Sequence, residues 1–558
     1  MGTMVNKILN HKSKTIISAA VILAITGLIS RILGLFRDRL LAGRFGAGDE
    51  LDIYFAAFRL PDLIYGILIM GAISATFIPI FAQYFKKDEK EAWKLTSGLF
   101  NLVFGGLVVL SIILIFIAPQ VVSIIAPGFS GTKKEMTADL TRIMFLSPLF
   151  LGLSSILSGV LQYFRRFFVY SLAPIMYNLG IIFGILFFAN NLGIKGVAWG
   201  VVLGAFLHFL IQVPSSVYSG FKWQKISTTY HQGIKKIFTL AIPRTIGLAG
   251  FQINYLVITA IASSLAIGSV AIFNLANNLQ YVPIGIIGIS FAMAVFPNLA
   301  SSFAEKDRKK FSENFSSVFN QILYLVLPIS VIFFVLRAQI VRLILGTGQF
   351  GWADTRLTAA ALGIFSLSVF AQSLIPLISR AFYSANNTKT PVSISLISIG
   401  LNIGLSFGLV WILNKHNFLS QLFSDILRLG GIKNFAVLGL PLAFSLSSIF
   451  NFTVLLKYFD KKIKQWNRKM ISNSLSKIII SCVILAVVIY GSLQILDFFL
   501  DTHRFAGLLV QSCIAAIIGM IFYFLISFIL KMPEPRLLIN KIIHPKSALP
   551  LPRENEPE

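Results

Sequence analysis

Six charged side chains lie within or beside the first two apolar stretches of this chain: Arg31, Arg37, Asp38, Asp52, Arg59 and Asp62. An arginine or aspartate at a bilayer centre costs roughly 2.5–3.5 kcal/mol on insertion scales. Such groups face a partner or a water-filled path, so their clustering marks the working part of the chain. Arg31 and Asp38 are two helical turns apart and share a face. Arg37 lies roughly 100–120° round the helix. Gly34 between them would permit a bend that turns both arginines to one cavity. Guanidinium groups grip phosphate oxygens in bidentate fashion, so one chemistry open to this set is capture of a phosphate-like anion. The other is structural: an Arg37–Asp38–Asp52 network closing the extracellular mouth, with Arg39 and Arg44 as interfacial anchors. Arg31 reads as a ligand contact and Asp38 as a structural partner, while Arg37 stays open between the two. Arg59 is placed to pair with Asp62 or Asp52, or to face the cavity.

The elements that carry these residues are membrane spans. Hydrophobic residues make up 56% of the 558 and charged residues only 13%, where a soluble domain carries about 25%. The net charge of +26 is read as cytoplasmic loops rich in Lys and Arg rather than as a nucleic-acid surface. Cys482 and Cys513 both sit inside apolar runs, so neither a disulfide framework nor a metal site is expected. The six histidines are scattered, and only His208 lies well inside a span, where a hydrogen-bonded structural role is expected. No HExxH, P-loop or DxxD-type motif occurs. No catalytic residue, metal or cofactor is therefore assigned, and transport would draw on a gradient or potential.

Counting apolar stretches of about 20 residues gives about fourteen transmembrane helices, an all-α polytopic membrane protein. With the N-terminus inside, the inner segments hold 31 Lys and Arg and the outer segments 14; Arg31, Arg59 and Arg244 within spans complete the 48. That bias predicts an even number of spans with both ends cytoplasmic. The chain also repeats at an offset of about 220 residues: Pro79 with Pro297, Phe129 with Phe350, Pro174 with Pro391. Two parallel-repeat six-helix lobes follow, with a site expected between them near the midplane. The predicted organisation is a cytoplasmic N-terminus (1–15), an N-lobe (16–216) and a C-lobe (217–457). A further helix pair (458–530) and a disordered cytoplasmic tail (531–558) complete it.

In the second half, the span containing FNLANNLQYVP is neutral but polar, with Asn274, Asn277, Asn278 and Gln280; Arg244 and Gln252 are the other strong candidates, although Arg244 reads more readily as an anchor near the cytoplasmic end. The string SRILGLFRD, followed by FGAG, Asp52 and FRLPDLIYGILIMGAISATFIPIFAQY, resembles the lipid II flippase family of bacterial peptidoglycan synthesis. That family is called MurJ or MviN, within the multidrug/oligosaccharidyl-lipid/polysaccharide exporter superfamily. APGF at Ala126–Phe129 and AFYSANNTKTP at Ala381–Pro391 extend the match across roughly residues 20–460.

The resemblance implies two lobes around a central cavity and a C-terminal pair forming a groove for the lipid tail. It implies a cytoplasmic-membrane flippase moving an undecaprenyl-pyrophosphate-linked sugar-peptide by alternating access. Its first-helix arginines fall on Arg31 and Arg37, its neighbouring acid on Asp38 and its second-helix acid on Asp52. Tyr65 and Gly66 stand where the family often has arginine, and Asn278 stands where it has a functional arginine. Cation-site carboxylates are likewise missing, leaving Asn254 or Asn402 to serve. The expected substrate contacts are Arg31, Arg37, Arg59, Arg244, Asn278 and Gln252, with Asp38 and Asp52 as gate or charge partners. The expected partners are lipid II, membrane lipids and the cell-wall synthesis machinery. An exporter of another lipid-linked glycan, or a non-transporting envelope scaffold, are the alternatives.

Overall fold

A computed structural model describes residues 16–67, 74–224, 232–415, 417–432, 434–463 and 466–536, without the side chains at 16–20, 74–75, 242–248, 419 and 469. The N-terminal segment, the side chain of Arg244 and the tail beyond Arg536 thus lie outside the described residues.

Among the described residues every regular element is helical. The chain runs through α1 (Ile16–Phe45), α2 (Asp49–Ile64), α3 (Ser74–Lys87), α4 (Glu89–Phe116), α5 (Ala118–Ile125), α6 (Gly131–Met144) and α7 (Leu146–Tyr163). It continues through α8 (Phe167–Phe183), α9 (Ala189–Leu192), α10 (Ile194–Leu210), α11 (Val213–Tyr218), α12 (Gln232–Ser263) and α13 (Ser269–Pro283). Next come α14 (Ser290–Ala304), α15 (Arg308–Val335), α16 (Arg337–Ile344), α17 (Trp352–Ser366), α18 (Val369–Ser384) and α19 (Lys389–Leu413). The last are α20 (Phe418–Ile426), α21 (Gly439–Lys462), α22 (Arg468–Asp497) and α23 (Phe505–Ile529).

Ten helical runs among the described residues are long and apolar enough to cross a membrane, and the bent pair α17–α18 makes eleven. The sequence suggested about fourteen. The difference falls on α1, whose apolar stretch carries Arg31, Arg37 and Asp38, and on α2–α3 and α12, which run through residues only partly described.

The chain divides into two compact units. The first comprises Met1–Leu279, Ile344–Ala361 and Ser395–Ser447. In it α8 packs against both α1 and α10. Gly180 on α8 and Gly184, in the π-turn that follows it, face Gly204 and Gly200 on α10, so closely that a Cβ on any of them would strike the opposite backbone. Lipid tails give helices no hydrophobic reason to associate, and small residues that let backbones approach supply the packing instead. A second contact region is aromatic. Phe81 on α3 meets Phe77, Phe85, Trp93 and Tyr163 with ring centroids 5.0–5.5 Å apart, each such pair adding about 0.5–1.5 kcal/mol.

The second unit comprises Gln280–Leu343, Leu362–Ile394 and Ser448–Glu558. Its core joins α14, α15, α18 and α22, and α22 pairs with α23. Phe315 stacks on Phe459 at 4.4 Å, and the Tyr523 hydroxyl donates to the Tyr324 carbonyl at 2.8 Å. Val483, Val487 and Tyr490 on α22 and Ile517, Ile521 and Leu525 on α23 are exposed apolar rows suited to lipid. The predicted disorder from residue 531 does not hold at its start: residues 533–536 are helical and Met532 and Glu534 are buried. There the Met532 amide bonds back to the Ser527 carbonyl at 3.0 Å.

Candidate functional site

α1 runs unbroken through Gly34, so the expected bend is not made there; the glycine instead faces the Asn178 amide oxygen on α8. Arg37 donates from Nε and Nη2 to Asp38 Oδ1, at 3.0 and 2.8 Å, and from Nη1 to Asn178 Oδ1 at 3.3 Å. Asn178 is itself held, its Nδ2 donating to the Ser30 carbonyl and hydroxyl and to the Pro174 carbonyl. The close α8–α10 packing therefore fixes the amide that orients Arg37. Asp38 is buried, and its second oxygen accepts from Asn278 Nδ2 at 3.0 Å.

Arg31 differs. It is half-buried and has no hydrogen bond or ion pair among the described residues. A guanidinium carries five donors and no acceptor, so this one is open to an anion.

Arg59 does not pair with Asp62 or Asp52. Its Nε donates to Thr259 Oγ1 at 2.8 Å, its Nη2 donates to Asn274 Oδ1, and its guanidinium lies 5.3 Å from the Tyr255 ring centre. These partners sit on α12 and α13, about 200 positions away, and are neutral; no charge pattern in the sequence points to them. Gln252 is half-buried, with its amide packed over Gly66. The structure so brings together Arg37, Asp38 and Asn278, and separately Arg59 with Thr259 and Asn274. Asn402 Nδ2 donates to Asn254 Oδ1 at 2.7 Å, both residues buried. No acid, histidine and cysteine cluster suited to a metal occurs among the described residues.

Asp52 is not part of the Arg37 network. Its carboxylate accepts from the amides of Gly268 and Ala271, at 2.8 and 3.0 Å, and from Lys133 Nζ at 3.0 Å. It thereby caps the start of α13, where free amides and the helix dipole favour a negative group. Lys133 also contacts Asp49 at 2.5 Å and lies over the Phe129 ring. Sequence reasoning missed Lys133; its only signal was a position just beyond APGF.

The α1–α2 turn is clamped further. Asp354 accepts from the Ala47 and Gly351 amides, and the Gln349 amide donates to the Gly43 carbonyl at 2.8 Å. Gly268, at φ +84°, leaves no room for a Cβ beside the Ala47 carbonyl. Arg39 and Arg44 donate to the carbonyls of Ile344 and Ile185.

Intramembrane arginines beside carboxylates, borne on long apolar helices with a tightly closed end, define a polytopic membrane transporter. The family model for lipid II flippase MurJ matches residues 41–511, and the chain belongs to that family. A probable lipid II flippase MurJ of Buchnera aphidicola subsp. Schizaphis graminum (strain Sg) is 31% identical over 463 residues, covering 80% of this chain and 84% of the relative. The lipid II flippase MurJ of Burkholderia cenocepacia is 28% identical, over 66% of this chain and 73% of its own. A solved lipid II flippase MurJ in an inward closed conformation aligns with TM-score 0.74 and 26% identity, over 93% of this chain and all of that one. An inward-facing multidrug resistance MATE transporter of the MOP superfamily shares the fold, with TM-score 0.61 and 15% identity over 80% of this chain and 99% of its own.

Proposed function

We propose that this chain moves lipid II, an undecaprenyl-pyrophosphate-linked sugar-peptide, from the cytoplasmic to the outer leaflet by alternating access. The observation that carries the reading is Arg31, a half-buried guanidinium on an apolar helix with no protein partner among the described residues. Arg31 and the Nη1 of Arg59, unbonded among the described residues, supply donors to the pyrophosphate, and Arg37 joins by giving up Asn178. Asp38 holds Arg37 in place. Asn278 and Gln252 contact the substrate's polar head; Arg244, expected from the sequence to do the same, has its side chain outside the described residues. The site rests mainly on the first lobe, because Asn278 has no charge to offer.

Asp52 and Lys133 belong to the outer closure. Opening it uncaps α13 and separates a buried carboxylate from its lysine. Both termini lie in the cytoplasm, as the excess of Lys and Arg on that side favours. The lobes span residues 16–216 and 217–457, and the prenyl tail runs along the exposed rows of residues 458–530. The protein acts as a transporter and not as an enzyme, without a cofactor. It sits among membrane lipids of the bacterial inner membrane and hands its product to the cell-wall synthesis machinery. An anion leaving a negative interior is driven outward by about 2.3 kcal/mol per elementary charge per 100 mV.

Rescue of growth in a flippase-depleted strain tests the reading. The wild type should rescue and Arg31→Ala should not, at equal membrane levels. Failure of the wild type to rescue would count against lipid II as substrate, and another lipid-linked glycan would then have to be tried. Rescue by Arg31→Ala would remove Arg31 from the site.

A further inference from the structure

Of the six charged residues within or beside the first two apolar stretches, Asp62 is the one that the mechanism above leaves idle. It sits on α2 one turn beyond Arg59 and is half-buried. Its carboxylate has no hydrogen bond and no ion pair among the described residues, and its oxygens are not sealed from solvent. Other intramembrane acids here are fully engaged: Asp38 by Arg37 and Asn278, and Asp52 by Lys133 and two backbone amides. Yet Asp62 is not remote from charge. Arg59 on its own helix and Arg37 on α1 both act on it electrostatically, and Tyr54, Tyr65 and Tyr177 feel its charge.

A carboxylate kept bare beside two cations is costly to place in a membrane. Arg59 commits Nε and Nη2 to neutral oxygens and keeps Nη1 open among the described residues. An anion on that nitrogen would meet the field of Asp62.

We propose that Asp62 is a built-in competitor of the substrate's pyrophosphate, weakening its hold on Arg37 and Arg59 so that the bound lipid is released. This rests on the pyrophosphate-lipid reading for its substrate, though the competition itself needs only a pyrophosphate anion. Like charges at close quarters are disfavoured. In the empty carrier the carboxylate offsets the arginines; once the anion is bound it opposes it. A transporter must bind firmly enough to load and weakly enough to unload, and Asp62 shifts that balance towards unloading.

The test uses the full chain in lipid nanodiscs and in liposomes. Binding of inorganic pyrophosphate and of fluorescently labelled lipid II is titrated for wild type, Asp62→Asn and Asp62→Glu, with thermal melting as a check of folding. Asp62→Asn should bind pyrophosphate about tenfold tighter and flip labelled lipid II more slowly at saturating substrate. Asp62→Glu should behave as wild type, because it keeps the charge. A structural defect would lower binding and flipping together, so tighter binding with slower flipping separates the two. Equal or weaker binding by a folded Asp62→Asn would overturn the proposal, as would absence of saturable pyrophosphate binding by both forms. If inorganic pyrophosphate binds with the expected difference and lipid II does not bind at all, Asp62 keeps its role and the lipid II reading fails.

Discussion

Arg31 and Arg59 are both half-buried arginines of the first two helices, but their surroundings set different roles. Among the described residues Arg31 has no hydrogen bond or ion pair whose partner its removal would leave unpaired. Arg31→Ala should therefore change stability by no more than about 0.5 kcal/mol while abolishing saturable lipid II binding; thermal melting and a binding titration on one preparation decide it. Arg59→Ala takes the donor from Asn274 Oδ1 and one bond from the Thr259 hydroxyl, which keeps its own bond to the Tyr255 carbonyl. It should cost about 1–3 kcal/mol as well as affinity, seen as a lowered melting temperature. Asp52 belongs to neither group. Asp52→Ala removes a helix cap and leaves Lys133 without its buried partner, so about 3–5 kcal/mol of the closure should go. In a background with Cys482 and Cys513 replaced by Ser, a cysteine at position 48 should then label faster from outside; an unchanged rate would detach Asp52 from the closure. At this scale the sequence was informative about which residues are unusual and poor on their partners. Arg37 and Asp38 are neighbours in the chain, and their pairing could be foreseen. Besides Lys133, the partners of Asp52 are two backbone amides some 216–219 positions away, and amides leave no mark in a sequence. Arg59 was expected beside an acid because charge pairs are what a sequence displays; it chose a hydroxyl and an amide.

Helices bring those side chains to their places, and two features of the helices matter most. One is the glycine contact of α8 with α10, which sets the position of Asn178 and hence of Arg37. Gly184→Val and Gly200→Val should each lower the amount of folded protein in the membrane, because the new side chain meets opposing backbone. Gly105→Ala, in open space on α4, should be neutral or stabilise by up to about 1 kcal/mol. Membrane fractionation with melting curves compares them, and equal loss at Gly105 would dissolve the argument. The other feature is the π-turn. It ends α2 at Tyr65–Ile67 and follows α13 at Ile284–Ile289, close to the 220-residue offset of the internal repeat. π-turns in long helices often accompany function. The repeat itself was legible, since prolines and a phenylalanine recur in order. The turns were not, because they depend on hydrogen-bond register rather than on residue type.

For the whole molecule, composition alone fixed the class, and the family followed from an ordered set of motifs. The span count is about fourteen from the sequence and ten or eleven among the described residues, the charged α1 and the partly described α2–α3 and α12 making the difference. The same charges suit the molecule to its substrate. On the proposed reading, a positive site among these helices would accept an anion too polar to cross the bilayer. The most direct measurement is the sidedness of lipid II in cells whose own flippase is depleted and replaced by this chain. An added enzyme that cleaves lipid II and cannot enter the cell reports the outer leaflet. The account predicts that wild type restores cleavage and that Arg31→Ala, at equal membrane level, leaves lipid II protected inside. Lipid II that stays protected with the wild-type chain in the membrane would contradict it.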